Sequence, residues 1–127
     1  MSDQVHVYFR RAACDLEAAA RALERYRIDV DRRGDRLVAS TPGSPQFRIA
    51  LDAAPHVAEE AADIGAGTPH AAGMAACDAR FVVGFDDLDE VLDEINTLIE
   101  IQAALPEVSG GYLFLTWNGH LDGPGST

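Results

Sequence analysis

The sequence has no lysine, only two cysteines and a single tryptophan, and no apolar run approaches the ~20 residues that a membrane-spanning helix requires. The missing apolar run excludes a transmembrane helix. Cys14 and Cys77 stand alone, without CxxC spacing, so neither a disulfide framework nor a thiol-rich metal ribbon is expected. The N-terminal stretch Met1-Ser2-Asp3-Gln4-Val5 lacks the charged-then-apolar layout of a signal peptide, and the expected location is the cytoplasm. What is present is ordinary for a globular chain: 127 residues, 47% hydrophobic and 24% charged. That is one domain's worth, expected as a single α+β domain over residues 1–121 with a flexible tail over 122–127.

Charge is the outlying property. Ten arginines face 21 carboxylates, for a net charge of −11. Residues 1–48 carry nine arginines against seven acids, whereas residues 49–127 carry only Arg80 against fourteen. A field of that sign repels nucleic-acid phosphates and anionic membranes and attracts basic partners, so neither direct nucleic-acid nor membrane binding is expected.

Local pattern divides the chain into strands and helices. Val5, Val7 and Phe9 alternate with His6, Tyr8 and Arg10, the period of a strand. Leu16, Ala19, Ala20 and Leu23 recur at helical spacing after Asp15. Between Arg27 and Leu51 the period returns to two, with Gly34 suited to a hairpin turn, and predicts a three-stranded meander. Pro55 opens and Gly65 closes a short helix, and residues 65–79 read as a loop with one helical turn. Phe81, Val83 and Phe85 form a strand; Asp87 and Glu90 then make a capping box for a helix expected over 87–105 and ended by Pro106. Its core face is read as Leu88, Val91, Leu92, Ile95, Leu98, Ile99, Gln102 and Leu105. Tyr112–Trp117 supplies the last strand. Two strand–helix–strand units around a meander predict a ferredoxin-like α+β sandwich. Its sheet would be mixed, mainly antiparallel, with two main helices on one face plus a short inserted helix.

No catalytic constellation emerges. His56 with Glu59 or Glu60 lies at one-turn spacing but lacks the further ligands of a zinc site, so no metal is expected. Gly65-Ala66-Gly67-Thr68-Pro69 lacks the lysine of a phosphate loop. Cys14, beside a helix start, is where a lowered thiol pKa would be sought, but no histidine recommends itself as its base. The chain is therefore expected not to be an enzyme and to need no cofactor.

The acidic helix remains. Asp89, Glu90, Asp93, Glu94 and Glu100 extend past the first turn, where the helix dipole favours carboxylates, and no lysine or arginine accompanies them. They predict contact with a basic protein partner, a toxin domain being the type case, with Ile101 as an exposed apolar anchor and Trp117 and His120 as additions. The expected role is an acidic immunity-type inhibitor. The alternative is a ligand-binding or regulatory module, a homodimer through its sheet, that binds a small anion where Arg10, Arg48 and Arg80 share a strand face.

Overall fold

Alternation at the N-terminus produces β1 (Gln4–Phe9), and Asp15 then caps α1 (Leu16–Arg25) by accepting the Ala18 N–H at 2.8 Å. The computed structural model describes residues 4–93 and 95–123. The meander follows as β2 (Asp29–Arg33), β3 (Arg36–Ser40) and β4 (Phe47–Asp52). Arg33 pairs with Arg36, which leaves a two-residue loop at Gly34-Asp35. The Gly34 φ of +64° meets the demand of such a hairpin for a left-handed first residue. Next come α2 (Pro55–Gly65), α3 (Ala71–Ala75) and β5 (Ala79–Gly84). The chain ends with α4 (Leu88–Asp93), α5 (Ile95–Ser109), β6 (Tyr112–Leu115) and β7 (Leu121–Asp122).

The seven strands form one sheet in the order β2-β3-β4-β5-β1-β6-β7, and every neighbouring pair is antiparallel. No parallel pair occurs among the described strands, where a mixed sheet was expected. β5 pairs on one side with β4 and on the other with β1, so the α2–α3 segment bridges adjacent strands. One sheet face carries Val5, Val7, Phe9, Leu37, Ala39, Phe47, Ile49, Phe81, Val83 and Leu113, packed in one core with buried residues of α1, α4 and α5. Phe9 and Phe81 stack there with centroids 4.6 Å apart. On the other face Tyr8 packs with Val57, Ala61, Met74 and Cys77, so α2 and α3 cover part of it. β1 is consequently buried on both sides, whereas the outward residues of β4 and β5 stay half-exposed.

Three expectations need correction. Pro106 does not end the last helix: it lies inside α5, which runs to Ser109 before Gly110 turns at φ +67°. A proline this close to the helix end forfeits a single ladder bond. Asp122 belongs to β7 and pairs with Leu113, while residues 124–127 of the expected tail lie outside the described residues. Ile101 is fully buried and cannot be an exposed anchor. Ile99 and Ile101 are two residues apart, roughly 200° around a helix, so only one of them can face the sheet. The apolar positions of this segment wrap more than half its circumference, and the fold buries the arc through Val91, Leu98, Ile101 and Leu105. Leu92, Ile95 and Ile99, expected inside, are left outside.

Candidate functional site

The exposed large hydrophobics among the described residues are Leu92 (45% exposed), Ile95 (37%) and Ile99 (52%). All three fall within eight residues, at the spacing of one helical face. Asp89 and Asp93 flank Leu92, and Asn96 and Glu100 flank Ile95 and Ile99. Among the described residues no arginine or histidine nitrogen lies within 4 Å of the carboxylates of Asp89, Glu90, Asp93 or Glu100. Asp87 starts the segment, accepting the Asp89 and Glu90 N–H groups at 2.9 and 3.4 Å. Glu94 lies outside the described residues. Trp117 is half-buried with its ring edge-on to Phe85 at 6.0 Å, at the base of α4. His120 is exposed on the β6–β7 turn, with Nε2 2.9 Å from Asp122 Oδ2. The result is an apolar strip beside a carboxylate row that has no cation of its own chain.

A second cluster centres on Arg80, whose side chain is only 11% exposed. Its guanidinium donates to Asp52 Oδ2 from Nε at 3.2 Å and Nη2 at 3.0 Å, and from Nη1 to Glu60 Oε1 and to Tyr8 Oη, both at 3.2 Å. His56 stands at the rim, its Nε2 3.6 Å from Asp52 and 3.5 Å from Glu60. The cation thus occupies the space between the carboxylates where a metal would otherwise sit, and no metal-holding group of three or more His, Cys, Asp or Glu occurs among the described residues. Burial alone opposes ionisation of Asp52, but the Ala54 N–H and Arg80 outweigh it and hold its pKa below the usual value.

The same network fixes the state of His6. Tyr8 Oη lies 3.3 Å from His6 Nδ1, and His6 Nε2 lies 2.8 Å from Gln4 Oε1. With Arg80 donating to Tyr8, the consistent assignment has Tyr8 donating to Nδ1 and Nε2–H donating to Gln4, a neutral ring. Burial first, and Arg80 second, push the His6 pKa from 6.5 down to about 4. The unfolded chain therefore binds a proton that the folded chain refuses between those two values. Stability contributed by neutral His6 is complete above pH 6.5 and declines as pH falls toward about 4, by about 3 kcal/mol in all. Denaturant titrations at about pH 7 and about pH 4.5 check this. The wild type should lose more stability between the two than His6→Gln, and equal losses would contradict the assignment.

The three arginines expected to converge do not. Arg80 is held by Asp52 and Glu60, and Arg10 lines a recess with Cys77 and Gly110 at another end of the sheet. Arg48 lies four residues from Asp52, the partner of Arg80 across β4–β5, a separation of ~13 Å along the strand. Its neighbour is instead Arg36, with which it lines a recess on the open part of the sheet. The cysteines are not activated: burial raises the Cys14 thiol pKa and pushes that of Cys77 up to about 11.

Sequence reasoning missed the exposed strip and the Arg80 cluster. For the cluster a trace existed: Asp52, His56 and Glu60 follow at four-residue intervals. No protein-family model, curated protein or solved structure matches the chain.

Proposed function

We propose that the chain is a non-enzymatic acidic binding protein that neutralises a basic protein partner, in the manner of a toxin-immunity inhibitor. The observation that carries this reading is the coincidence, on one helical segment, of Leu92, Ile95 and Ile99 in solvent with Asp89, Asp93 and Glu100 beside them. Each half alone has a commonplace explanation, since carboxylates solubilise and single exposed apolar residues are normal. Together they are the anatomy of an interface: an apolar centre to hold the complex and charges at the rim to steer it. The partner would present cationic side chains around a small apolar surface, and the chain's −11 charge would speed its approach. The fold proposed for this role is a ferredoxin-like core, β6-β1-β5-β4 with α1 and α5, enlarged by the β2–β3 hairpin, β7 and the α2–α3 cover.

Affinity capture with the tagged chain from its native host, at low and moderate salt, tests the reading. A basic protein recovered near one-to-one is expected, with recovery falling as salt rises. Asp89→Arg with Asp93→Arg should weaken that recovery by tenfold or more and flatten its salt dependence. Recovery unchanged by the double reversal would assign the carboxylates to solubility alone.

A further inference from the structure

The open part of the sheet carries a feature that partner neutralisation does not use. Gln4, Arg36, Arg48, Ala50, Val82 and Gly84 line a shallow recess of about 220 Å³ on the face that α2 and α3 leave uncovered. Arg36 is registered with Ala50 and Arg48 with Val38, so the two arginines occupy diagonal positions on adjacent strands, ~7–8 Å apart at the backbone. Two cations side by side repel. Arg48 is partly answered by Asp86, at 2.7 Å from Nη2, and Arg36 only by its sequence neighbour Asp35 at 3.9 Å; both acids are largely in solvent.

Gly84 supplies an independent observation. It sits in a central strand, paired with Gln4 on β1 and Arg48 on β4, where glycine weakens a sheet. Its backbone is not left-handed, and an added Cβ would meet nothing nearer than the Arg48 carbonyl oxygen at 4.0 Å. Neither turn geometry nor close packing therefore requires a glycine here. What its missing side chain provides is a flat floor, continued by Ala50 and Val82, between the arginine pair and Gln4. A locally unfavourable residue with no role in the fold marks a functional position.

We infer that this recess binds a small organic carboxylate carrying a flat apolar body, its anionic end on Arg36 and Arg48 and its body on Gly84 and Val82. The guanidinium forks match carboxylate geometry. The Gln4 side-chain carbonyl already accepts from His6, which leaves its amide N–H groups to face a carboxylate oxygen. A single negative charge suits the site better than a phosphate dianion, because the chain is acidic overall and Asp86 and Asp35 stand close by.

Benzoate is the probe, with acetate and inorganic phosphate as comparators, read by amide chemical shifts of the full chain. Saturable shifts are expected at Arg48, Val82 and Gly84, with a low-millimolar Kd for benzoate and at least tenfold weaker binding of acetate and phosphate. Arg36→Ala with Arg48→Ala should weaken benzoate at least tenfold. Gly84→Val should abolish binding while the protein unfolds no earlier than wild type, since valine suits the strand. Shifts that fail to saturate, that map elsewhere, or that survive the arginine double substitution would overturn the inference. If Gly84→Val fails to fold, the arginine variant, altering only surface side chains, still decides. Phosphate or acetate matching benzoate would overturn the assignment of ligand class.

Discussion

Replacing Arg80 with alanine is expected to cost about 2–4 kcal/mol of folding stability, enough to lower the melting temperature of a domain this size by roughly 10 °C. The side chain is almost wholly buried and gathers partners from four elements: Tyr8 on β1, Asp52 on β4, and His56 and Glu60 on α2, around its own place on β5. Removing it leaves the Asp52 carboxylate partly buried without its counter-ion and the Tyr8 hydroxyl, buried under α2, without its donor. Both losses carry desolvation penalties, because the orphaned groups cannot reach bulk water. Glu60 is half-exposed and water answers it in part, which keeps the figure below that of a fully buried pair. Arg80→Lys should recover only a fraction, since an ammonium is a point charge and cannot serve Asp52, Glu60 and Tyr8 in the guanidinium plane. Urea unfolding of the three proteins checks the ranking: wild type, then Arg80→Lys, then Arg80→Ala. A loss below about 1 kcal/mol for alanine would make the cluster a surface ornament rather than the tie between α2 and the sheet.

The second large effect is on binding. Ile95→Ala with Ile99→Ala should weaken the affinity for the captured basic partner by roughly a hundredfold, about 2–3 kcal/mol, while folding stability stays within about 0.5 kcal/mol. The two side chains are held in solvent in the free protein, so truncating them costs the fold little. In a complex they would be the groups that leave water. The kinetics should separate the two parts of the surface. Truncating Ile95 and Ile99 should act on the dissociation rate, whereas reversing Asp89 and Asp93 should act on the association rate and its salt dependence. Equal affinity of the isoleucine variant and the wild type would remove the apolar strip from the interface.

Much of the fold was legible because its signals are local. Val5, Val7 and Phe9 alternate within six residues, Asp15 caps the helix beside it, Gly34 sits in a two-residue turn, and Pro55 and Gly65 bracket α2. Strand order is a different kind of information. β5 inserts between β1 and β4, so Phe81 meets both Val7 and Leu51 across more than twenty residues of intervening chain, and no short window contains that choice. The helical segment after Asp87 shows a subtler failure. Periodicity located a helix correctly but could not say which part of a broad apolar arc would be buried. Ile101 took the place assigned to Ile99, and the exposed anchors moved to Leu92, Ile95 and Ile99. The expected arginine site failed for a related reason. Arg48 and Arg80 do share a sheet face, but the register sets them at opposite ends of the β4–β5 pair, each beside different neighbours. Sequence alternation gives the face, and only register gives the distance.

The central proposal is that the face formed by α4 and α5 meets a basic protein, and amide hydrogen exchange on the complex with the captured partner tests it most directly. Slowed exchange across Leu88–Asp93 and Ile95–Gln102, with the β2–β3 hairpin and the open sheet face unchanged, is the predicted footprint. Protection confined to the hairpin or to the Arg36–Arg48 recess, with α4 and α5 exchanging as in the free protein, would contradict it.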